Sequence, residues 1–217
     1  FQMAAEMMTG PSETILTNDD VAVENSSFTT GRRGVAATVI VEKIVGSLAE
    51  HGGSLEECKH LGDKVNKNSG SMGVAFSSCI VPAAGKPTFE LGVDEMEFGV
   101  GIHGEPGRRR DKIKSAQEIT NELLNAILED LKPENKDEIL LFVNGMGGTP
   151  ISELYLIYDN ARKMLDNKKI KIARSLVGNY CTSLEMQGAS ITLTKFDQEL
   201  LKHWDSPVHT AAMRWGV

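Results

Sequence analysis

The sequence predicts an α/β protein with α+β elements. Segments with helical apolar spacing and recognisable caps alternate with short β-type runs along the whole chain, and glycine-rich turns separate the two. A content of 41% hydrophobic and 24% charged residues supports a packed core. The 217 residues suffice for one large domain or two small ones.

The chain enters Phe1 to Met8 with helical composition and no N-cap, and Pro11 closes this helix. An entry in mid-helix leads to the expectation of a further segment upstream. Glu13 to Thr17 reads as a short strand ending in the turn-forming Asn18-Asp19-Asp20. After the loop through Gly31-Arg32-Arg33-Gly34, Val35 to Ala49 carries helical spacing and stops at Gly52-Gly53, where glycine can take the left-handed conformation. Ser54-Leu-Glu-Glu57 is a capping box that opens a second helix to Lys67.

At Asn68-Ser-Gly70 the texture turns to β-type runs. A domain boundary is therefore expected near residue 70. Residues 1–70 read as the remainder of a first α/β domain, and 71–217 as a second one whose tail packs back on the first. Met72 to Val81 and Glu97 to Ile102 are strand candidates on either side of the Pro82/Gly85/Pro87 loop. Ser115 caps an amphipathic helix to Leu131, Ile139 to Val143 is a buried strand, and Pro150 opens a helix through Leu165. Lys169 to Val177 and Ala189 to Thr194 follow as strands, and Asp197 to His203 as a closing helix. Trp204 and Trp215 anchor the tail.

Several functional classes drop out on composition. Twenty-three Lys+Arg against 30 Asp+Glu leave a net charge of −7, and no basic stripe interleaved with aromatics tracks a phosphate backbone, so nucleic acid is not an expected ligand. No apolar run approaches the ~18 residues that span a bilayer, so no membrane is expected. Three cysteines without CxxC spacing read as unpaired thiols in a reducing, cytoplasmic setting. The five histidines form no HxH, HxxxH or HExxH pattern, so no metal is expected.

Chemistry concentrates in Phe98-Gly-Val-Gly-Ile-His-Gly-Glu-Pro-Gly107, where a strand runs into a glycine-rich turn. His103, between Gly101 and Gly104, has little steric cover and is reachable as base, ligand or nucleophile, and Glu105 can orient or charge-tune its ring. An ordinary surface histidine between turn glycines is the alternative. The GxGxxG frame of this turn is followed by Pro106 and three arginines where a helix should start, which argues against a dinucleotide fingerprint. Asn144 to Pro150 is a second glycine-rich turn. Gly145 and Gly147 either expose N–H groups to an oxyanion or phosphate, or permit close packing; the phosphate-gripping lysine of a P-loop is lacking. Arg32 and Arg33 either clamp an anion, make a subunit contact or start a solvated helix.

Taken together, Asn18 to Asn25, Thr30 to Gly34, Gly85 to Gly92, Gly99 to Gly107 and Asn144 to Pro150 resemble the dihydroxyacetone kinase family, specifically the substrate-binding subunit of its bacterial phosphotransferase-dependent branch. The Gly-Ile-His-Gly-Glu-Pro-Gly turn is the most specific element. The resemblance implies that His103 attacks the ketone carbon of dihydroxyacetone through Nε2 and holds it as a hemiaminal, which separates a ketose from glycerol by reactivity. It also implies a two-domain homodimer in which residues completing the site lie in Gly-Ser-Gly-His and Gly-Asp segments upstream of Phe1. No nucleotide-binding helical domain and no cofactor are expected on this chain, with ADP/ATP and Mg carried by a helical partner subunit. Related subunits act as dihydroxyacetone-sensing coactivators of a transcription regulator, which is the alternative activity.

Overall fold

A computed structural model describes residues 2–23, 31–103, 105 and 107–216. Six strands form one mixed sheet in the order β3-β2-β1-β6-β4-β5. They are β1 (Ser69–Ala75), β2 (Glu95–Phe98), β3 (Arg109–Lys112), β4 (Glu138–Gly145), β5 (Lys171–Gly178) and β6 (Gly188–Phe196). Neighbours run antiparallel except β4 and β5, whose parallel pairing is bridged by helix α5 (Ile151–Asn167) as a βαβ crossover.

Strand β4 shows how sequence sets the layers. Side chains alternate across a sheet, and every residue from Ile139 to Val143 is apolar and fully buried. Ile139, Leu141 and Val143 therefore pack on one face with α4 (Ala116–Leu131) and α5, against Leu123, Leu124, Ile127, Leu154 and Leu165. Leu140 and Phe142 pack on the other, against Ile40 and Ile44 of α2 (Ala37–Glu50), Leu61 and Val65 of α3 (Leu55–Lys67), and Leu200 and Trp204 of α6 (Gln198–Asp205). A fully buried side chain of this size contributes ~1.5–3 kcal/mol, so the double-sided burial of this strand dominates the core. Residues before and after position 70 share the second face.

Both capping boxes form: Ser54 and Ser115 accept from the backbone N–H groups of Glu57 and Glu118, whose carboxylates return to the serine N–H groups. The Ser54 N–H and hydroxyl hold the Glu57 carboxyl below the usual range, and the Ser115 hydroxyl and N–H do the same for Glu118. A depressed folded-state pKa stabilises above the unfolded value and is lost as pH falls through the folded one. Ser54→Ala and Ser115→Ala should each lower the melting temperature by about 3 °C at pH 7. The glutamate contribution fades on acidification below pH ~4.3. Melting curves that coincide with the parent at pH 7 would refute the capping role.

Helix α2 is capped from a distance. Ala36 stands at its N-cap and offers no side-chain acceptor. Buried Asp19 supplies the acceptors instead. Its Oδ1 accepts from Val35 N at 2.9 Å, its Oδ2 from Ala37 N at 3.0 Å, and the Ser71 hydroxyl donates to Oδ2.

Three local expectations are corrected. Residues 13–17 form no ladder; they run beside α3, where Asn66 Nδ2 donates to Leu16 O at 2.8 Å and Asn66 Oδ1 accepts from Asn18 N at 2.9 Å, so side-chain bonds replace strand pairing. Pro150 stands one position before α5, as its N-cap, because its ψ of 147° is extended. The first helix, α1 (Gln2–Glu6), ends well before Pro11. Two features had no sequence signal: the charged edge strand β3, and the tail hairpin of β7 (Val208–His209) and β8 (Arg214–Trp215), where Trp215 lies 5.4 Å from Trp204. Among the described residues no helix is long and apolar enough to cross a membrane.

Candidate active site

Residues 99–108 join β2 to β3; the described residues at the base of this connection are fixed, and His103 is exposed. Gly99 adopts φ 76°, its N–H donates to Gly73 O at 2.7 Å, and a Cβ there would fall 2.6 Å from the Ala22 methyl, so glycine is required. Arg108 N returns to Phe98 O at 2.7 Å and closes the loop. On the returning leg, buried Glu97 accepts from Gly107 N and Arg110 Nε, each at 3.0 Å. Val100 is buried with Ala75, Cys79, Met146 and Met186. From that base the chain rises to His103, whose side chain is 78% exposed.

Glu105 grips the histidine twice. Oε2 accepts from His103 N at 2.9 Å, and Oε1 lies 3.3 Å from Nδ1. A carboxylate only accepts, so a proton on Nδ1 is the one that Glu105 can draw on from this side. Partial burial works against the Glu105 charge, but its own and His103's backbone N–H groups and the charges of His103 and Arg33 outweigh it, and its pKa lies below the usual range. It is a carboxylate at neutral pH. Gly101 leaves the room this needs: a Cβ there would lie 2.3 Å from Glu105 Oε2 and 3.0 Å from Arg33 Nη1. Gly104 lies outside the described residues.

The two arginines before α2 diverge. Arg32 Nη1 reaches Asp130 Oδ2 at 2.8 Å, at the end of α4. Arg33 turns towards the histidine loop, with Nε on Asp20 Oδ2 at 2.8 Å and Nη2 on Gly99 O at 2.7 Å. Asp20 is fixed in turn by Ala22 N on Oδ1 at 2.9 Å. Burial raises the Asp20 pKa against the opposing charge of Arg33. The Asp-Asp turn and the arginine pair both stand out in the sequence, but their meeting at Gly99 depends on a crossing of segments 13 residues apart.

The second glycine turn closes on protein. Met146 N donates to Gly188 O at 3.1 Å and Gly148 N to Met186 O at 2.9 Å. Gly147 has φ 119°, and a Cβ there would fall 1.9 Å from Leu184 O; one on Gly145 would fall 2.1 Å from Asn179 Oδ1. Of the two readings open for Gly145 and Gly147, close packing is the one this geometry supports. The turn meets the histidine loop through Met146, beneath Val100. A recess of about 620 Å³ lies elsewhere, between α2 and the tail hairpin, lined by Glu42, Lys43, Tyr180 and His209 among others. Among the described residues, the histidine loop takes no part in its walls. Cys58, Cys79 and Cys181 are free thiols, and burial pushes Cys181 up to about 11, which keeps it protonated.

Known proteins resemble this chain over nearly its whole length. The Dak1 domain model matches residues 1–212. The chain is 42% identical over 243 residues to the dihydroxyacetone-binding subunit DhaK of the PEP-dependent dihydroxyacetone kinase of Escherichia coli, covering 100% of this chain and 68% of the relative. It is 47% identical over 202 residues to the corresponding subunit of PTS-dependent dihydroxyacetone kinase 1 from Listeria innocua, covering 92% and 61%. Among solved structures, the dihydroxyacetone kinase operon co-activator Dha-DhaQ superposes with a TM-score of 0.82 at 34% identity, over 89% of this chain and 60% of that one. The chain thus spans about two thirds of the length of these relatives. A match from the first helix to the tail places the chain in the Dak1 domain family, alongside the dihydroxyacetone-binding subunits of bacterial dihydroxyacetone kinases that it resembles.

Proposed function

We propose that the protein is the dihydroxyacetone-binding subunit of a phosphotransferase-dependent kinase, and that His103 holds the ketose covalently. The carrying observation is the exposed imidazole of His103, whose Nδ1 stands 3.3 Å from the Glu105 carboxylate. Nε2 donates its lone pair to the carbonyl carbon and the C=O π pair moves to oxygen. The Nδ1 proton passes to Glu105 and on through solvent to the alkoxide, which regenerates the carboxylate, so imidazole N–H plus ketone becomes a neutral hemiaminal. No redox partner is needed, and the reverse path releases the ketose. The captured substrate presents one terminal hydroxyl in a fixed orientation for phosphoryl transfer.

The same reading assigns the phosphoryl donor, ADP/ATP with Mg, to a helical partner subunit, and the remaining hydroxyl contacts to Gly-Ser-Gly-His and Gly-Asp segments outside residues 1–217. It places the subunit in the cytoplasm as a homodimer, with residues 1–70 belonging to a first domain and 71–217 to a second. One observation favours a second reading: the superposition on a structure named as an operon co-activator. Full-length protein mixed with the helical nucleotide-carrying subunit separates the two. The kinase reading expects dihydroxyacetone phosphate to accumulate, and calorimetry with Mg-ATP on the protein alone to show no micromolar binding. Adduct formation without product would establish the co-activator reading instead.

A further inference from the structure

Resting on the capture reading, we infer that Arg33 is a positioning residue for His103: it fixes the loop that carries the imidazole and balances the carboxylate that grips it. Its guanidinium donates to Asp20 through Nε and to Gly99 O through Nη2, at 2.8 and 2.7 Å, so the loop base is tied to a segment 66 residues away in sequence. Its remaining arm, Nη1, stands beside Gly101 on the side where Glu105 Oε2 also stands. The arginine therefore acts on the histidine in two separable ways.

The first is geometric. Gly99 and Gly101 give the backbone freedom that a nucleophile must not have, because a small misplacement of the attacking atom costs orders of magnitude in rate. A forked guanidinium bonded at two fixed acceptors restores rigidity, which lysine, a point charge on a flexible stem, reproduces poorly. Arg33 is sheltered, 23% exposed at its side chain, and Asp20 is 3% exposed, so the pair is held rather than solvated.

The second is electrostatic. Capture consumes neutral imidazole, and a carboxylate at Nδ1 stabilises the imidazolium. Glu105 is thus both needed, to orient the ring and take the Nδ1 proton, and costly, because it favours the unreactive form. A cation behind Glu105 offsets that cost without occupying Nδ1. Among the described residues, the charges that act on Glu105 are His103 on the loop itself and Arg33 from the segment before α2; Asp20 draws off part of the Arg33 charge, and Glu97 and Arg110 pair on the returning leg.

The test measures dihydroxyacetone adduct formation by borohydride trapping and intact mass against pH, in full-length protein. Arg33→Gln is made together with Asp20→Asn so that no buried carboxylate is left unpaired, and Arg33→Lys is made alone. Both are expected to capture ketose about tenfold less well at pH 8. The glutamine variant is also expected to move the pH midpoint of capture upward by about half a unit, the scale of two partly solvated charges several ångströms apart. Arg33→Lys, which keeps the charge, is expected to hold the parent midpoint. Adding Glu105→Gln to the glutamine variant should bring the midpoint back towards the parent, a rescue that loss of rigidity alone cannot produce. Superimposable profiles with normal capture in the parent would overturn the inference and leave the capture reading intact. No adduct in the parent would overturn both.

Discussion

Alanine at position 103 is expected to abolish ketose capture. The parent protein incubated with dihydroxyacetone and trapped should gain one ketose equivalent on the peptide carrying His103, and His103→Ala should gain none. With the partner subunit present, phosphorylation should fall by ~10³-fold or more, since both covalent anchoring and fixed orientation are lost. His103→Gln sharpens the test. It keeps a side chain that can hydrogen-bond a carbonyl and removes the nitrogen lone pair that adds to one, so it should behave like alanine. The side chain is 78% exposed, so neither variant should move the melting temperature by more than about 1 °C. Equal adduct yield in parent and alanine variant would remove His103 from the mechanism. Glycerol, lacking a carbonyl, should neither form an adduct nor compete for one.

The largest stability effect is expected at Asp19. Asp19→Ala strands the Val35 and Ala37 N–H groups at the start of α2 inside the protein, and leaves the Ser71 hydroxyl on β1 with Thr192 Oγ1 alone. Leaving such groups without acceptors should cost about 3 kcal/mol, which lowers the melting temperature by roughly 6–12 °C in a chain of this size. Asp19→Asn keeps one acceptor oxygen and should recover about half of the loss. The pH response runs opposite to that of the capping-box glutamates. Burial, opposed by the Ser71 hydroxyl and the Val35 and Ala37 N–H groups, raises the Asp19 pKa above its unfolded value. The ionised form therefore costs stability above the folded pKa, and that cost fades as pH falls through it. Chemical denaturation of the three proteins at pH 7 decides the matter: an Asp19→Ala curve within about 0.5 kcal/mol of the parent, on the scale of an ordinary surface change, would show that water or a neighbour replaces the carboxylate.

Local signals were readable and distant ones were not. Ser54/Glu57 and Ser115/Glu118 announce two helices because a capping box is complete within four residues. The run from Ile139 to Val143 announces a strand covered on both faces because nothing in it tolerates water. Strand β3 gave no such signal: Arg109 to Lys112 are all charged, and an edge strand exposed on both faces has no apolar period to display. Residues 13–17 carried β-type composition, yet the sheet offers them no partner, and Asn66 meets their polar groups instead.

The candidate site divides along the same line. His103 and Glu105 could be paired on paper because they lie two residues apart. Arg33 at Gly99 and Asp19 at the head of α2 could not, because each contact is made by the tertiary fold and each partner, taken alone, looks like an ordinary charged residue in a loop.

The position of β6 sets an order on how the chain comes together. It is the strand at the middle of the sheet, paired with β1 at Ser69–Ala75 on one side and with β4 on the other, yet it is the last of the six in sequence. Until residues 188–196 have been synthesised, β1 to β3 and β4 to β5 are two half-sheets with unpaired inner edges, and neither α2 nor α4 has a complete surface to lie on. Such edges invite pairing with other chains, and closure over more than a hundred intervening residues is slow. A nascent chain on which β6 has not yet emerged thus carries two half-sheets open to wrong partners, and the ladder that joins them is the last part of the sheet to be made.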